Sequence, residues 1–308
     1  KKIDKYIIRK VITIIITLFF IITLTYTMMH TIPGGPFTRE KKLPPEIEKA
    51  MMEKYNLDQP LSKQYVDYLL GAVKGDFGPS YTAKGREVSD MIADSFPVSG
   101  QLGILAIILI LLLGIPLGVI AALKQGTWID KATIFFAIMG VTVPSFVLAT
   151  LMIYIFGVKL KLLPTSRWSS ARHMIMPTVS LAVGSIAYVA RLTRSSMLEV
   201  ISQDYIRTAR AKGLSEGVVV FKHALKNALI PVVTYVGPLT AGILTGSFVI
   251  EKIYAVPGMG RMFVESISNR DYTVIMGVTI FYAFILVLFI FITDILYMFI
   301  DPRIKINE

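Results

Sequence analysis

The chain has 308 residues, of which 54% are hydrophobic, and a mean hydropathy of +0.63, which exceeds the roughly 45–50% apolar usage of soluble domains and predicts a membrane protein. A net charge of +11 would suggest a nucleic-acid binder in a soluble chain, but here we attribute it to membrane orientation and expect no nucleic-acid partner. The lack of cysteine excludes disulfides, thiolate metal sites and cysteine nucleophiles, and the three histidines are too far apart in sequence to predict a metal site.

Six apolar runs are long enough to cross a membrane, because a spanning helix needs about 20 residues. The runs cover residues 11–29, 95–123, 132–158, 174–190, 227–250 and 272–293. Basic residues precede the first run, as in a signal peptide, but no A-x-A-like cleavage site follows it, so we predict a retained helix. The fourth run is short, and we expect its helix to continue through 191–200, whose arginines can reach the headgroups. The expected fold is an all-α integral membrane protein with six transmembrane helices.

The distribution of Lys and Arg predicts that both termini are cytoplasmic. With the N-terminus inside, 16 basic residues lie in the cytoplasmic pieces and 7 lie in the short outer loops. Cytoplasmic loops carry the excess of basic residues in membrane proteins. The long outer segment is not counted, since long segments cross the membrane largely regardless of charge.

Three regions follow from these spans. Residues 1–30 form the cytoplasmic N-terminus and first transmembrane helix, and residues 31–94 form an extracytoplasmic segment. Residues 95–308 form a core of five spans, which includes a cytoplasmic loop at 201–226. Within the outer segment, Pro45 can begin one short helix and residues 62–73 form a second amphipathic stretch. We expect these helices to lie on the membrane surface rather than to bind substrate.

Two glycine pairs have the four-residue spacing that lets helix backbones approach closely. They are Gly114 with Gly118 in the second span and Gly242 with Gly246 in the fifth. Helix packing alone explains both pairs.

Other glycines and prolines in the spans are candidates for a transport pathway. Gly237 and Pro238 lie inside the fifth span, where they free backbone groups that protein or a wet cavity must satisfy. We therefore predict pathway-lining or hinge roles for Pro144, Gly237, Pro238 and Gly242.

The cytoplasmic loop between the fourth and fifth spans predicts a short helix, a turn and a second helix. Asp204 can cap the first helix, Gly213 can end it, and Ser215 can cap the second. Such an exposed helix between two spans could act as a lever. These physical features fit equally well a solvated basic loop that follows the charge rule.

Alanines in this helix are small enough to let it enter a groove of a partner. The candidate residues for coupling this helix to a partner are Asp204, Tyr205, Arg207, Thr208, Ala209, Arg210, Ala211, Lys212, Gly213 and Leu214.

The run Tyr-Ile-Arg-Thr-Ala-Arg-Ala-Lys-Gly-Leu at 205–214 resembles the EAA loop of binding-protein-dependent ABC importer permeases, in the variant of the oligopeptide/dipeptide permease B family. Further matches occur in the same order as in that family: Ile-Pro-Gly-Gly-Pro at 32–36, Gly-Asp-Phe-Gly at 75–78, the segment 251–260 with Pro-Gly-Met-Gly, and Arg-Asp-Tyr at 270–272. Arg207 departs from the general pattern, which has Glu at that position, and this favours the peptide subfamily.

The resemblance implies a type I-like permease fold and a division of labour. No G-x-x-x-x-G-K-[ST] phosphate loop occurs, so we expect the chain to be no enzyme and to hold no cofactor, with ATP and Mg²⁺ bound by partners. The implied partners are two cytoplasmic ATPase subunits, a second homologous permease, an extracytoplasmic peptide-binding protein and the bilayer of a bacterial or archaeal cell membrane.

Two alternatives remain open at this stage. Related permeases carry nickel chelates, glutathione or other small solutes, and fold-level similarity does not choose among them. A secondary transporter would also need broken helices around a midplane site, with charge for ion coupling. Asp294 is the one clear acidic candidate for that role, and we expect it to pair with a basic residue such as Arg303.

Overall fold

A computed structural model describes residues 2–32, 45–244 and 246–300, and the described chain is almost entirely helical. The helices in chain order are α1 (Lys2–Thr31), α2 (Pro45–Lys54), α3 (Leu61–Val73), α4 (Val88–Leu123), α5 (Trp128–Thr142), α6 (Ser145–Met152), α7 (Ala171–Ile201), α8 (Asp204–Ala211), α9 (Glu216–Val218), α10 (Leu225–Ala228), α11 (Ile230–Leu244), α12 (Phe248–Ile253), α13 (Met259–Asn269) and α14 (Tyr272–Ile300). Two π-helical segments, Ile153–Lys159 and Val219–Ala224, follow α6 and α9.

Five helical segments are long and apolar enough to cross a membrane. Among the described residues they are Tyr6–Thr31, Val88–Leu123, Ala171–Ile201, Ile230–Ile253 and Tyr272–Ile295. The helix of the fourth predicted span continues to Ile201, as the sequence predicted.

The third predicted span is broken into two pieces that meet at 100°. The break lies at Val143 and Pro144, which both have extended backbone angles between α5 and α6. Proline disfavours helical geometry in the residue before it, so Val143 ends α5. Pro144 then leads into α6, and the bent pair counts as the sixth span if it crosses the membrane as a unit.

The centre of the fold is the extensive contact between α4 and α7. A Cβ atom on Gly114 would lie 2.8 Å from the Val189 side chain, and one on Gly118 would lie 2.5 Å from the Ala190 carbonyl oxygen. The close approach predicted from this glycine pair is confirmed. The corresponding prediction for Gly242 and Gly246 is wrong, because Gly246 lies beyond the end of α11.

The segment between α1 and α4 contains both predicted short helices, α2 and α3. Tyr65 of α3 forms a 2.7 Å hydrogen bond with Thr23, which attaches α3 to the outer half of α1. The Ile-Pro-Gly-Gly-Pro stretch at 32–36 lies largely outside the described residues. Helix α4 begins at Val88 and runs through the predicted boundary between 31–94 and 95–308.

Candidate functional site

The short helix predicted in the cytoplasmic loop is present as α8, which spans Asp204–Ala211. Gln203 has the extended backbone of the N-cap position, and Asp204 is the first helical residue, so the predicted cap was one residue too late. Asp204 still favours the helix, because a carboxylate in the first turn interacts well with the helix dipole. Ser215 occupies the N-cap position of α9, as predicted, although its side chain makes no capping bond.

Gly213 ends α8 in the left-handed conformation predicted for it, with φ of +75°. The Gly213 amide donates to the Arg210 carbonyl at 2.9 Å, and the Leu214 amide donates to the Ala209 carbonyl at 3.4 Å. This pair of bonds is the Schellman motif, which satisfies carbonyls that a helix end leaves free. The turn therefore sets the direction in which the chain leaves α8.

The inner face of α8 is anchored within the chain. Ile206 is fully buried and Ala209 is 6% exposed, and both pack in a cluster with Met197, Val219 and Val220. Ala209 therefore lies on the buried face of α8 and does not face a partner's groove. This corrects the role predicted for its small side chain. Its small side chain permits close packing of α8 on the π-helical segment behind it.

The face of α8 opposite Ile206 and Ala209 is exposed and rich in charge. Among the predicted coupling residues, those exposed are Asp204, Tyr205, Arg207, Thr208, Arg210, Ala211, Lys212, Gly213 and Leu214. Arg210 makes a hydrogen-bonded ion pair with Glu216 at 2.7 Å, and this bond lowers the pKa of the Glu216 carboxyl from its ordinary value. Arg207 lies 3.8 Å from Asp204. The arrangement is a short, firmly held basic helix with one face exposed.

Comparison with known sequences identifies the family. Residues 114–306 match the family described as binding-protein-dependent transport system inner membrane component, and residues 3–103 match the N-terminal family of these membrane components. The dipeptide transport system permease protein DppB of Bacillus subtilis is 50% identical over 304 residues, which are 99% of each chain. The chain is a binding-protein-dependent transport permease. The oligopeptide transport system permease protein OppB of Salmonella typhimurium is 46% identical over 98% of the permease and 99% of that relative.

A solved structure supports the fold. The permease resembles a chain of the MetNI methionine ABC transporter, solved in inward-facing conformations, with a TM-score of 0.54. The match covers 68% of the permease and 96% of that chain at 17% identity. The predicted all-α, type I-like permease fold is therefore confirmed, and the permease is a multi-pass membrane protein.

The predicted pathway residues fall in different surroundings. Pro144 lies at the bend between α5 and α6. Pro238 and Gly242 are exposed on one side of α11, four residues apart. Gly237 lies on another side, against α14, where an added Cβ would come within 2.1 Å of Thr293. Gly237 thus permits close packing of α11 on α14 and lies away from the exposed side of α11.

Gly242 and Gly246 do not form a helix-packing pair. An added Cβ on Gly242 would meet no described atom within 4 Å. Gly246 lies beyond the end of α11 with φ of +95°, and its Cβ would come within 2.5 Å of the Glu251 carboxylate. The spacing of the two glycines is therefore incidental to helix packing.

A direct contact joins α8 to the start of the fifth span. The Asn227 side-chain amide on α10 donates to the Tyr205 hydroxyl at 2.8 Å. Because α10 leads through Leu229 into α11, this bond connects α8 to the beginning of α11. Sequence reasoning placed Tyr205 in the coupling set but gave no partner for it.

The outer side contains a buried carboxylate that sequence reasoning did not single out. Glu251 is fully buried and accepts hydrogen bonds from Ser99 at 2.8 Å, from the Gly260 amide at 2.8 Å and from the Arg261 amide at 3.2 Å. The two amides belong to the first turn of α13, where a helix favours negative charge. Gly258 at the N-cap of α13 and Gly260 in its first turn were the available signal. The group ties α4, α12 and α13 together.

A second buried carboxylate, Asp130, forms an ion pair between α5 and α7. Arg194 of α7 binds both carboxylate oxygens of Asp130 on α5, at 2.5 and 2.8 Å, and the Gly126 amide also donates to Asp130. The expectation that Arg194 reaches lipid headgroups is thus wrong. Sequence spacing alone could not show this pair, because the two residues lie in different spans.

Asp294, the acidic candidate for ion coupling, is paired. Lys10 of α1 donates to its carboxylate at 2.7 Å, so α1 and α14 are joined at this level. The predicted partner, Arg303, lies outside the described residues. Within the described ranges, no group of three or more His, Asp or Glu side chains is arranged to hold a metal ion.

Proposed function

We propose that the permease is the membrane subunit of an ATP-driven importer that takes up dipeptides or oligopeptides delivered by an external binding protein. The observation that supports this most strongly is the near full-length similarity to DppB and OppB, at 50% and 46% identity. Similarity that extends over all the spans and loops favours the same transport task, because pathway, coupling loop and outer surface are all included.

The energy is proposed to enter through α8. The chain has no phosphate-loop motif, so ATP and Mg²⁺ are assigned to two cytoplasmic ATPase subunits. The exposed basic face of α8 is the proposed contact with one of them, and the buried face built on Ile206 and Ala209 holds the helix to the spans. Closure of the ATPase dimer would then move α8, and the bond between Tyr205 and Asn227 would carry that movement to α11.

The pathway is proposed to lie between this permease and a second homologous permease. Pro238 and Gly242 on the exposed side of α11 are its proposed lining, and Pro144 is the proposed hinge. Alternation between inward- and outward-open states is then a rigid-body or hinge movement biased by ligands. The assembly is assigned to a bacterial or archaeal cell membrane, with the peptide-binding protein on the outer side.

Reconstitution tests the transport class and the substrate together. The permease, its partner permease, the ATPase subunits and the binding protein are placed in vesicles, and uptake of a labelled dipeptide and a labelled tripeptide is measured with ATP. Nickel chelates and glutathione serve as competing solutes. We expect peptide uptake that requires ATP and the binding protein and that survives collapse of ion gradients. Uptake driven by an ion gradient without ATP would contradict the proposal. Preferential uptake of a nickel chelate would show that the chelate, and not a peptide, is the substrate.

The coupling route is tested by Tyr205→Phe, which keeps the ring and removes the hydroxyl that accepts from Asn227. We expect ATP hydrolysis to persist while the number of peptides taken up per ATP falls. Tyr154→Phe is the matched control, because it removes the hydroxyl of an exposed tyrosine that lies outside α8 and outside the predicted coupling set. An equal loss of coupling in both variants would argue against a specific role for the Tyr205 contact.

A further inference from the structure

The exposed surfaces of the spans differ in chemistry. Large apolar side chains stand exposed on α1, α4 and α5, including Phe19, Phe20, Ile104, Ile108, Phe135 and Phe136. Such surfaces suit contact with lipid hydrocarbon chains. The exposed positions on the cytoplasmic half of α7 are polar instead: Arg191, Ser195 and Glu199. Polar and charged residues in spans face the bundle interior or a water-filled cavity, so this part of α7 does not face the hydrocarbon.

Two tyrosines join this part of α7 to the pathway helix. The rings of Tyr188 on α7 and Tyr235 on α11 have centroids 4.2 Å apart. Thr234 and Pro238, the neighbours of Tyr235 on the exposed side of α11, lie one turn apart. The polar face of α7 therefore meets the proposed pathway wall at this aromatic contact.

Arg191 is the charged group at this junction. Its guanidinium carbon lies 5.5 Å from the centroid of the Tyr188 ring, which is within the range of a cation–π contact. Arg194, about one turn further along α7, is engaged by Asp130, whose two carboxylate oxygens accept hydrogen bonds from its guanidinium. No carboxylate of the described residues comes within ion-pair distance of Arg191. Its donors are thus held in place by a ring and remain available to a ligand.

We infer that Arg191, supported by Tyr188 and Tyr235, forms a subsite for the carboxylate of the solute as it passes through the permease. The inference rests on the proposed import function and adds a chemical requirement to it. A planar guanidinium matches a carboxylate in a two-point contact, and stacking on a tyrosine reduces the orientational freedom that binding must remove. Peptides carry a terminal carboxylate, so a single cationic group can serve peptides of different side chains.

The absence of native cysteine permits a chemical test at this position. Arg191→Cys is assembled with the partner subunits and binding protein, and trialanine uptake is measured per mole of complex. We expect uptake to fall about tenfold, as for the loss of one charge-assisted contact, while basal ATP hydrolysis and assembly stay at the wild-type level. Aminoethyl methanethiosulfonate restores a cation at the new thiol and should recover most of the uptake. Methyl methanethiosulfonate adds no charge and should not.

The control is Arg172→Cys, which removes an exposed arginine from the outer end of the same helix and should leave uptake unchanged. A second comparison uses trialanine amide, which lacks the carboxylate, at saturating loaded binding protein; its uptake should change less than twofold in Arg191→Cys.

Wild-type trialanine uptake by Arg191→Cys, or recovery with the methyl reagent, would overturn the subsite. Equal losses for trialanine and its amide, or a loss of assembled complex, would show that Arg191 anchors the helix to headgroups instead. Failure of the wild-type complex to take up trialanine would count against the proposed function and not against the subsite alone.

Discussion

The turn at Gly213 allows a test in which the same atom is added at two nearby glycines. Gly213 has φ of +75°, and Gly217 lies within α9; a Cβ on either residue would meet no described atom within 4 Å. Neither Gly213→Ala nor Gly217→Ala creates a steric clash. The two substitutions therefore differ in backbone preference alone, which separates the conformation of the turn from packing around it.

The magnitudes follow from the backbone angles. A residue with a side chain adopts the left-handed conformation at a cost of about 1–2 kcal/mol, with β-branched residues at the upper end. Gly217→Ala should instead be neutral or stabilise by about 0.5–1 kcal/mol, because alanine replaces glycine in a helix. If the ATPase binds α8 with this turn intact, a cost of about 1 kcal/mol weakens binding about fivefold, and Gly213→Val weakens it more.

The assay measures ATPase subunits retained on the purified complex and peptide uptake by the same membranes. We expect retention and uptake to fall in the order wild type, Gly213→Ala, Gly213→Val, with Gly217→Ala equal to wild type. Binding-protein docking should be unchanged, because the turn lies in the predicted cytoplasmic loop. Wild-type retention and uptake in Gly213→Val would refute the coupling role of the turn. Equal defects at Gly213 and Gly217 would show that the region is sensitive to any added atom.

The buried Glu251 network, the packing of α8 and the predicted orientation can each be tested by substitution. Glu251→Ala should lower the free energy of unfolding by about 3–5 kcal/mol, because it leaves three donors unsatisfied. Glu251→Gln should lower it by about 1–2 kcal/mol. SDS-titration midpoints in the reverse order would contradict this network. Ala209→Asp buries a carboxylate in the α8 cluster, so limited proteolysis should show cleavage around α8 even without ATPase subunits; protection equal to that of wild type would exclude this packing. Single cysteines at Ser62 and Ser215 should react with an impermeant thiol reagent from the outer and cytoplasmic sides respectively, and labelling of both from one side would reject the orientation.

Local sequence signals were sufficient for features that depend on neighbouring residues. The long apolar runs identified the spans, the amphipathic spacing identified α2 and α3, and the glycine of the Schellman turn identified the end of α8. The same holds for Gly114 and Gly118, because two small residues one turn apart create a groove on any helix. Each of these signals acts within about one or two turns, so no knowledge of the partner element was needed.

Features that depend on which elements meet were decided by the tertiary structure alone. Pro144 marked a possible break, but the angle of 100° depends on how α5 and α6 pack against α7. The sequence alone does not show whether Ala209 or Arg207 is exposed to a partner. The packing of α8 on the π-helical segment buries Ala209 and leaves Arg207 exposed. Asp130 is bonded to Arg194, which is 64 positions away in the sequence, and Glu251 is bonded to Ser99, which is 152 positions away. Periodicity and turn chemistry carry no information about such pairs, because a buried charge is stabilised by whichever group the fold brings to it.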